Sequence, residues 1–177
     1  MDIRMIVAMN HARVIGRDGE LPWRLTSDMA RFKELTLGCG DESNAVIMGR
    51  ATFDSLPDNF RPLPDRINIV MSRDVNWRPS GGEDAEVALY PGRAIEIAFA
   101  YGCEECWIIG GGQIYEMFLE NVDEIHMTLV ADTSESKIGD VLFPELDENV
   151  WSKQEIGSAG MSAEDEFGST YSIFKKV

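Results

Sequence analysis

The chain has 177 residues, of which 44% are hydrophobic, and its formal net charge at pH 7 is -15. This length suits one domain with a sizeable core, and the negative charge, most of it in residues 101–177, disfavours nonspecific nucleic-acid binding. No apolar run approaches the roughly 18 residues that span a membrane, and the first residues lack the features of a signal peptide, so we expect a cytoplasmic protein. The acidic surface is expected to serve solubility, although a salt-adapted source stays open.

Apolar runs alternate with helical patterns along the first two thirds of the chain. The strand candidates are residues 5–8, 44–48, 67–71, 86–89, 106–109, 124–130, 150–156 and 170–174. The helical patterns cover residues 26–37, 51–56, 92–101 and 112–120. Alternation followed by strands alone predicts an α/β fold with a largely parallel sheet and an antiparallel edge. No linker interrupts the pattern, so residues 1–177 are expected to form a single domain.

Asp28 lies in the first turn of the predicted helix 26–37, on the same face as Phe32 and Leu35. A carboxylate beside an apolar stripe must be capped, paired or used on a ligand, because burying it alone is costly. It could cap the helix or complement the helix dipole. It could also hydrogen-bond a cationic or polar heterocycle in an apolar pocket. The residues alone leave both roles open.

Three strand ends carry groups suited to a phosphate. Residues 110–112 are glycines between a strand and a helix, where a phosphate can approach free N–H groups. Arg50 follows another strand, with the Thr52 hydroxyl at the start of the next helix, and Arg73 follows a third. Each could be a tight connection or a surface arginine. Together they indicate a phosphorylated cofactor, because ligands of open sheets bind beyond the carboxyl ends of the strands.

Arg66 follows a proline-containing segment and precedes a strand. Its guanidinium could hold a carboxylate with two hydrogen bonds, or it could pair with Asp65 or Asp58. Cys103 and Cys106 have the spacing of a metal or redox pair, but the sequence has no second pair and only two histidines. We therefore expect reduced structural thiols and no metal site.

In chain order these motifs resemble those of dihydrofolate reductase. The matching pieces are Val14-Ile15-Gly16, Leu21-Pro22-Trp23, Asp28 with Phe32-Lys33, residues 46–53, residues 61–64 with Arg66, residues 109–115, and Gly139-Asp140 with Phe143-Pro144. The resemblance implies a single domain with an eight-stranded, mostly parallel sheet. It implies reduction of 7,8-dihydrofolate to 5,6,7,8-tetrahydrofolate by NADPH, with the hydride going to C6 and the proton to N5, in support of one-carbon metabolism. It also implies a monomer that binds dihydrofolate and possible antifolate inhibitors.

The resemblance assigns catalytic roles to Asp28, Trp23 and Leu21. Asp28 would hold the 2-amino and N3 edge of the pterin and favour protonation at N5 through water. Leu21 and Trp23 would belong to a mobile loop over the nicotinamide. The implied substrate-binding residues are Ile6, Val7, Ala8, Asp28, Met29, Phe32, Leu56, Leu63, Arg66 and Thr128. The implied cofactor-binding residues are Ala8, Ile15, Gly16, Gly19, Gly49, Arg50, Ala51, Thr52, Met71, Ser72, Arg73, Ile109, Gly110, Gly111, Gly112, Gln113, Ile114 and Tyr115.

Three features depart from the family pattern: Arg24, the long segment 38–43 and the neutral Gln113. None removes a residue that the chemistry needs. Two alternatives to a dihydrofolate reductase are a related pterin or pyrimidine reductase and a nucleotide-binding module without catalysis. Asp28 together with Arg66 favours a folate that carries a glutamate tail.

Overall fold

The computed structural model describes residues 1–38, 43–79, 84–158 and 162–177. The strands are β1 (Asp2–Met9), β2 (Val14–Gly16), β3 (Ala45–Gly49), β4 (Ile67–Met71), β5 (Ala85–Ala88), β6 (Glu105–Gly110), β7 (Glu124–Val130), β8 (Val141–Leu142), β9 (Trp151–Ser158) and β10 (Ser169–Lys176). The helices are α1 (Thr26–Thr36), α2 (Arg50–Ser55), α3 (Pro91–Ala100) and α4 (Gly112–Phe118), with a 3-10 turn at Asp58–Phe60.

The main sheet has eight strands in the order β5-β4-β3-β6-β1-β7-β10-β9. Neighbours from β5 to β7 pair in parallel, whereas β10 runs antiparallel to both β7 and β9. Helical crossovers return the chain to the same end of the sheet, which produces the parallel part. The prediction of an eight-stranded, mostly parallel sheet with an antiparallel C-terminal edge and four helices is confirmed.

Strand β3 shows why the parallel strands are apolar along their length. All of its residues from Ala45 to Met48 are fully buried. Ala45 and Ile47 join one core cluster, while Val46 and Met48 join a second cluster. Because successive side chains of a strand point to opposite faces, the two clusters cover the two faces of the sheet.

Sequence reasoning missed the small antiparallel sheet of β2 and β8. β2 has three residues and β8 has two, which is too short to show a strand period. The pairing lays β8 against Gly16, where an added Cβ would lie 3.4 Å from Val141. It therefore ties the loop after β2 to the segment between β7 and β8.

Cys103 and Cys106 are free and buried. Burial raises the pKa of the Cys103 thiol and raises that of Cys106 to about 12, an environment typical of structural thiols. Cys39 and most of the long segment 38–43 lie outside the described residues. Within the described part of the chain, no helix is long and apolar enough to cross a membrane. The same residues contain no group of three or more His, Cys, Asp or Glu that could hold a metal ion.

Candidate active site

A cavity of about 370 Å³ lies between the end of β1 and the start of α1. Its lining residues are Ala8, Leu21, Trp23, Arg24, Leu25, Thr26, Asp28 and Met29. A larger groove of about 510 Å³ runs beside the edge strand β5, far from these residues in the sheet order. We place the candidate site in the smaller cavity because it holds a partly buried carboxylate in a mostly apolar wall.

The Asp28 carboxylate receives a hydrogen bond from the Thr128 hydroxyl at 2.5 Å, and the Arg31 guanidinium lies 3.5 Å away. Both contacts use the same oxygen, Oδ1. The Asp28 side chain is 19% exposed. Burial raises the pKa of Asp28, and the hydrogen bond from Thr128 and the charge of Arg31 oppose this rise. The carboxyl group therefore keeps a proton to higher pH than an exposed aspartate does.

Helix α1 is not capped by Asp28. Its N-terminus lacks a capping side chain of its own, and Asp165 from a distant segment accepts hydrogen bonds from the backbone N–H of Ser27 at 3.0 Å and its hydroxyl at 2.5 Å. These bonds hold the pKa of Asp165 at about 2. Of the two roles that the sequence left open for Asp28, capping is thus taken by another residue.

The loop from β2 to α1 is held by two further aspartates. The indole N–H of Trp23 donates to Asp132 at 2.9 Å, and Asp132 also accepts from Ser134. Arg17 binds both carboxylate oxygens of Asp140, at 2.9 and 2.8 Å. These donors lower the pKa of each aspartate to about 2. Trp23 is consequently buried, whereas Leu21 between the two anchors is 64% exposed.

The glycines at 110 and 112 are packed so closely that a side chain there would displace neighbouring atoms, whereas Gly111 leaves room for an ordinary contact. An added Cβ would lie 3.0 Å from the Tyr115 ring at Gly110, 3.4 Å from the Thr52 hydroxyl at Gly111, and 2.9 Å from a backbone oxygen at Gly112. Gly110 also has a φ of 109°, which other residues rarely adopt. The Gly110–Gly111 bond is cis.

Arg50 and Ser72 leave the sheet side by side, because Gly49 and Met71 before them are register partners. The Arg50 side chain is 51% exposed, lies 5.4 Å from the Trp77 ring centroid and pairs with Asp54 at 3.4 Å. Arg73 is exposed. This edge of the sheet thus combines backbone N–H groups, a hydroxyl and two cations, a set of donors suited to phosphate groups.

Arg66 is turned back towards helix α1. Its Nη1 donates to the Thr36 hydroxyl at 2.9 Å, and its guanidinium lies 6.0 Å from the centroid of the Phe32 ring. Burial lowers the pKa of Arg66. Asp58 is bound by Arg61 instead, at 2.7 Å. The alternative of an ion pair with Asp58 or Asp65 is therefore not seen among the described ion pairs, and the charge of Arg66 lies beside the Phe32 ring.

The dihydrofolate reductase family model matches residues 2–176. The chain belongs to the dihydrofolate reductase family. The family's reaction is the NADPH-dependent reduction of dihydrofolate to tetrahydrofolate, so the prediction made from the ordered motifs is confirmed.

Known dihydrofolate reductases resemble the chain along most of its length. The enzyme of Mycobacterium tuberculosis is 38% identical over 146 residues, which cover 82% of each chain. That of Staphylococcus haemolyticus is 34% identical over 180 residues, covering 100% of this chain and 97% of its own. A solved dihydrofolate reductase from Enterococcus faecalis, complexed with NADP(H) and RAB-propyl, superposes with a TM-score of 0.80 and 28% identity, covering 99% of this chain and 96% of its own.

Within this dihydrofolate reductase fold many of the predicted site residues fall into three groups. Five line the cavity: Ala8, Leu21, Trp23, Asp28 and Met29. A second group packs in or against the core cluster on the face of α1: Ile6, Phe32, Leu56, Leu63 and Ile109. A third group turns its side chains into the opposite core cluster: Val7, Ile15, Met71, Ile114 and Tyr115. The third group can meet a ligand through the backbone but not through its buried side chains.

Sequence reasoning missed Arg31, Asp132 and Asp165. Arg31 carries a signal, because it stands three residues after Asp28 on a predicted helix and must share its side of the helix. Asp132 and Asp165 carry none, because their partners Trp23 and Ser27 are more than one hundred residues away, at separations of 109 and 138.

Proposed function

We propose that the chain reduces 7,8-dihydrofolate with NADPH in the cavity beside Asp28, as one domain, as a monomer and in the cytoplasm. The observation that carries this proposal is the Asp28 carboxylate itself. It is partly buried in an apolar wall, it is bound through Oδ1 to Thr128, and burial raises its pKa. Such a carboxyl group is suited to hold the polar edge of a heterocycle and to assist a proton transfer.

The pterin would bind between Asp28 and the end of β1. Asp28 would accept hydrogen bonds from the 2-amino and N3 edge, with Thr128 fixing the carboxylate. Ile6, Val7 and Ala8 would supply the floor of the pocket, Val7 through its backbone, and Met29 would close one side. Asp28 would favour protonation of N5 through a water molecule, because the carboxylate would lie at the edge of the ring rather than over it.

The benzoyl-glutamate tail would run along helix α1. Phe32, Leu56 and Leu63 lie in one apolar cluster beside this helix and would flank the benzoyl ring. Arg66 lies 6.0 Å from the Phe32 ring and is held in place by Thr36. Its guanidinium would bind the α-carboxylate of the glutamate with two hydrogen bonds. This tail site favours a folate over a pterin that lacks glutamate. Antifolate inhibitors with the same ring edge would use the same pocket.

The residues at the other end of the cleft fit NADPH. Residues 110–112 lie between β6 and α4, where glycine lets a phosphate approach the backbone, and the Thr52 hydroxyl lies 3.4 Å from the position of an added Cβ at Gly111. Arg50, Ala51, Ser72 and Arg73 would bind the adenosine phosphates, including the 2′-phosphate. The remaining cofactor contacts proposed are Ala8, Ile15, Gly16, Gly19, Gly49, Met71, Ile109, Gln113, Ile114 and Tyr115. When bound, NADPH supplies the hydride that goes to C6.

The loop with Leu21 and Trp23 would exclude water from the reacting rings. Trp23 is anchored through Asp132, which places exposed Leu21 at the mouth of the cavity. A loop of this kind raises the rate by aligning the two rings and by removing competing water.

The test is to mix the protein with NADPH and 7,8-dihydrofolate and to follow the nicotinamide absorbance. We expect oxidation of NADPH that depends on dihydrofolate. A dihydropterin without the benzoyl-glutamate tail serves as the comparison substrate and should react with a higher KM. Folded protein that oxidises no NADPH would contradict the proposal. Equal KM values for the two substrates would contradict the proposed binding of the glutamate tail by Arg66. Size-exclusion chromatography of the same sample tests the monomer.

A further inference from the structure

Arg31 touches both residues of the Asp28–Thr128 hydrogen bond. Its Nη1 atom lies 3.5 Å from Asp28 Oδ1 and 3.5 Å from Thr128 Oγ1. Its side chain is 21% exposed, so the charge is partly withdrawn from water. Arg31 forms an ion pair with Asp28, and the roles proposed above make no use of this arginine.

A ring from another strand holds Arg31 in place. The Arg31 guanidinium lies 4.6 Å from the centroid of the Tyr171 ring, on β10. Planar guanidinium groups stack well on aromatic faces, and a stacked guanidinium loses the freedom to swing into solvent. Arg31 is thus fixed between the Tyr171 ring and the Asp28 carboxylate.

The Tyr171 ring is itself fixed from behind. Its hydroxyl group is hydrogen-bonded to Nδ1 of His126, and Nε2 of His126 lies 3.4 Å from Glu124. Lys175 and Arg4 pair with Glu124, at 2.6 and 3.5 Å. Burial lowers the pKa of His126, so this imidazole is neutral at pH 7 and does not compete with the charge of Arg31.

We propose that Arg31 is a positioning residue for the proton step. Its guanidinium is held on the Tyr171 ring, keeps the Asp28 carboxylate ionised and keeps Asp28 Oδ1 at the Thr128 hydroxyl. The inference rests on the proposed function of Asp28. A cation about 4 Å from a partly buried carboxylate favours the ionised form, because little water screens the pair.

Other groups around Asp28 act on its charge as well. Asp165, near the start of α1, raises the pKa of Asp28, as burial does. The phenols of Tyr115 on α4 and Tyr171 on β10 stay protonated, since burial raises the pKa of each, and neither carries charge at neutral pH. His126 contacts the Tyr171 hydroxyl, and Glu124 contacts the other nitrogen of His126. Arg31 is therefore the group that opposes Asp165 and burial with a full charge.

The sign of the effect follows from these contacts. Loss of the Arg31 charge leaves burial and Asp165 to favour the protonated carboxyl, so Asp28 titrates at higher pH. The limb of the pH–rate profile that reports Asp28 should move the same way. A residue that only packs α1 against β10 would change the rate or the stability but not the pH of that limb.

The experiment compares Arg31→Met and Arg31→Gln, which remove the charge, with Arg31→Lys, which keeps it. Arg93→Met is the matched control, because Arg93 forms an exposed i,i+3 pair with Glu96 on α3 and its loss changes the net charge equally. Turnover and KM for dihydrofolate are measured against pH. Carbon-13 NMR of the labelled aspartate carboxyls follows the titration of Asp28 in the free protein, with no need of catalysis.

We expect both neutral variants to move the Asp28 midpoint and the matching limb of the turnover profile to higher pH. Arg31→Lys should shift them less, and Arg93→Met should not shift them. Between the two midpoints turnover should change by about two- to fivefold, the scale of a partly exposed ion pair. Tyr171→Leu should displace the midpoint in the same direction, because the stacked arginine is released.

Unchanged Asp28 midpoints in both neutral variants would overturn the inference, whatever happens to the rate. Equal shifts in Arg93→Met and Arg31→Met would also overturn it, because the cause would then be net charge. If wild-type protein shows no turnover with dihydrofolate, the proposed function fails, and the NMR titration still decides whether Arg31 controls the charge of Asp28.

Discussion

Asp28 and the three aspartates that anchor the surrounding segments carry the same side chain in opposite settings. Asp132, Asp140 and Asp165 each accept several hydrogen bonds, and the pKa of each is about 2. Asp28 has one short hydrogen bond and an arginine at 3.5 Å, and burial raises its pKa. Donors to the ionised form favour the anion in the first three, whereas burial with fewer donors favours the protonated form of Asp28.

The number of hydrogen-bond donors around each carboxylate distinguishes those that hold the fold together from the one suited to act on a substrate. An aspartate whose oxygens already accept several N–H and O–H hydrogen bonds has no free acceptor position for a substrate. Its charge stabilises the contact between chain segments. An aspartate that is partly buried with few donors is unstable as an anion until a ligand completes its hydrogen bonds. Asp28 is the second kind and lines the cavity, while the other three aspartates bind distant segments of the chain together.

The largest effect is expected from replacing the candidate catalytic carboxylate. Asp28→Asn should lower turnover by about 10²–10⁴-fold, the usual scale for loss of a proton-transfer group, while NADPH still binds. Asp132→Asn makes the same chemical change at an anchor and is the matched control. Steady-state rates and NADPH titrations measure both. Similar turnover in wild type and Asp28→Asn would refute the role assigned to Asp28.

The next effect concerns the anchor of the loop. Asp132→Asn should lower turnover about tenfold, because a looser loop aligns the rings less well without removing the chemistry. Trp23→Phe removes the indole donor to Asp132 together with part of the buried ring and should produce at least a comparable loss. Single-turnover absorbance changes measure the hydride step in each variant. A loss as large as that of Asp28→Asn would erase the distinction between anchor and catalytic carboxylate.

The cofactor end provides a test that is independent of the aspartates. Arg50→Ala should raise the KM for NADPH by about tenfold, the scale of one charge-assisted hydrogen bond to phosphate, with a smaller change for NADH. Arg78→Ala, at an exposed arginine whose described contacts are to backbone oxygens of residues 75 and 77, is the control. Equal losses for NADPH and NADH would show that Arg50 does not read the 2′-phosphate.

The smallest effects should appear in stability. Asp165→Asn weakens the cap of α1 and should lower the midpoint of thermal unfolding by about 2–4 °C, the shift expected from one lost cap in a chain of this size. Asp28→Asn should leave the midpoint at pH 7 unchanged or higher, because it removes an anion that burial disfavours. Scanning calorimetry compares the two, and a larger loss in Asp28→Asn would reverse the assignment of the two residues.

Acid should act on the anchors in a defined direction. Their folded pKa of about 2 lies below the value near 3.9 of an unfolded aspartate. They therefore stabilise the fold above pH ~4, and this stability is lost as pH falls towards about 2. Denaturant midpoints at several pH values should fall over that window in wild type and fall less in Asp132→Asn. Parallel curves for the two proteins would contradict the saturated environment of Asp132.

Local pattern was enough for the main sheet but not for the anchors. The strands of the core and α1 were predictable because their apolar residues repeat with the strand or helix period. β2 and β8 were not, because a two-residue strand has no period and its partner lies more than one hundred residues away. Asp28, the 21–23 loop and the glycines at 110–112 were predicted as site residues from ordered motifs. The cap that Asp165 supplies to α1 could not be predicted from the sequence, because it depends on how two distant segments meet in the folded chain.

Side-chain direction set a second limit. Val7 and Ile15 belong to segments that the motifs assigned to the ligand site, yet both turn into the core. Ala8, one position after Val7, lines the cavity. Successive side chains of a strand point to opposite faces of the sheet. A motif therefore predicts which segment lies at the site, and only the register of the strand shows which of its side chains face the ligand.

A residue-resolved carbon-13 NMR titration of the aspartate carboxyls tests the central contrast most directly. Asp28 should titrate at the highest pH of the four, above the ordinary value of an aspartate, and Asp132, Asp140 and Asp165 should titrate at about pH 2. Asp28 titrating together with the three anchors would contradict the assignment of one chemical and three structural carboxylates.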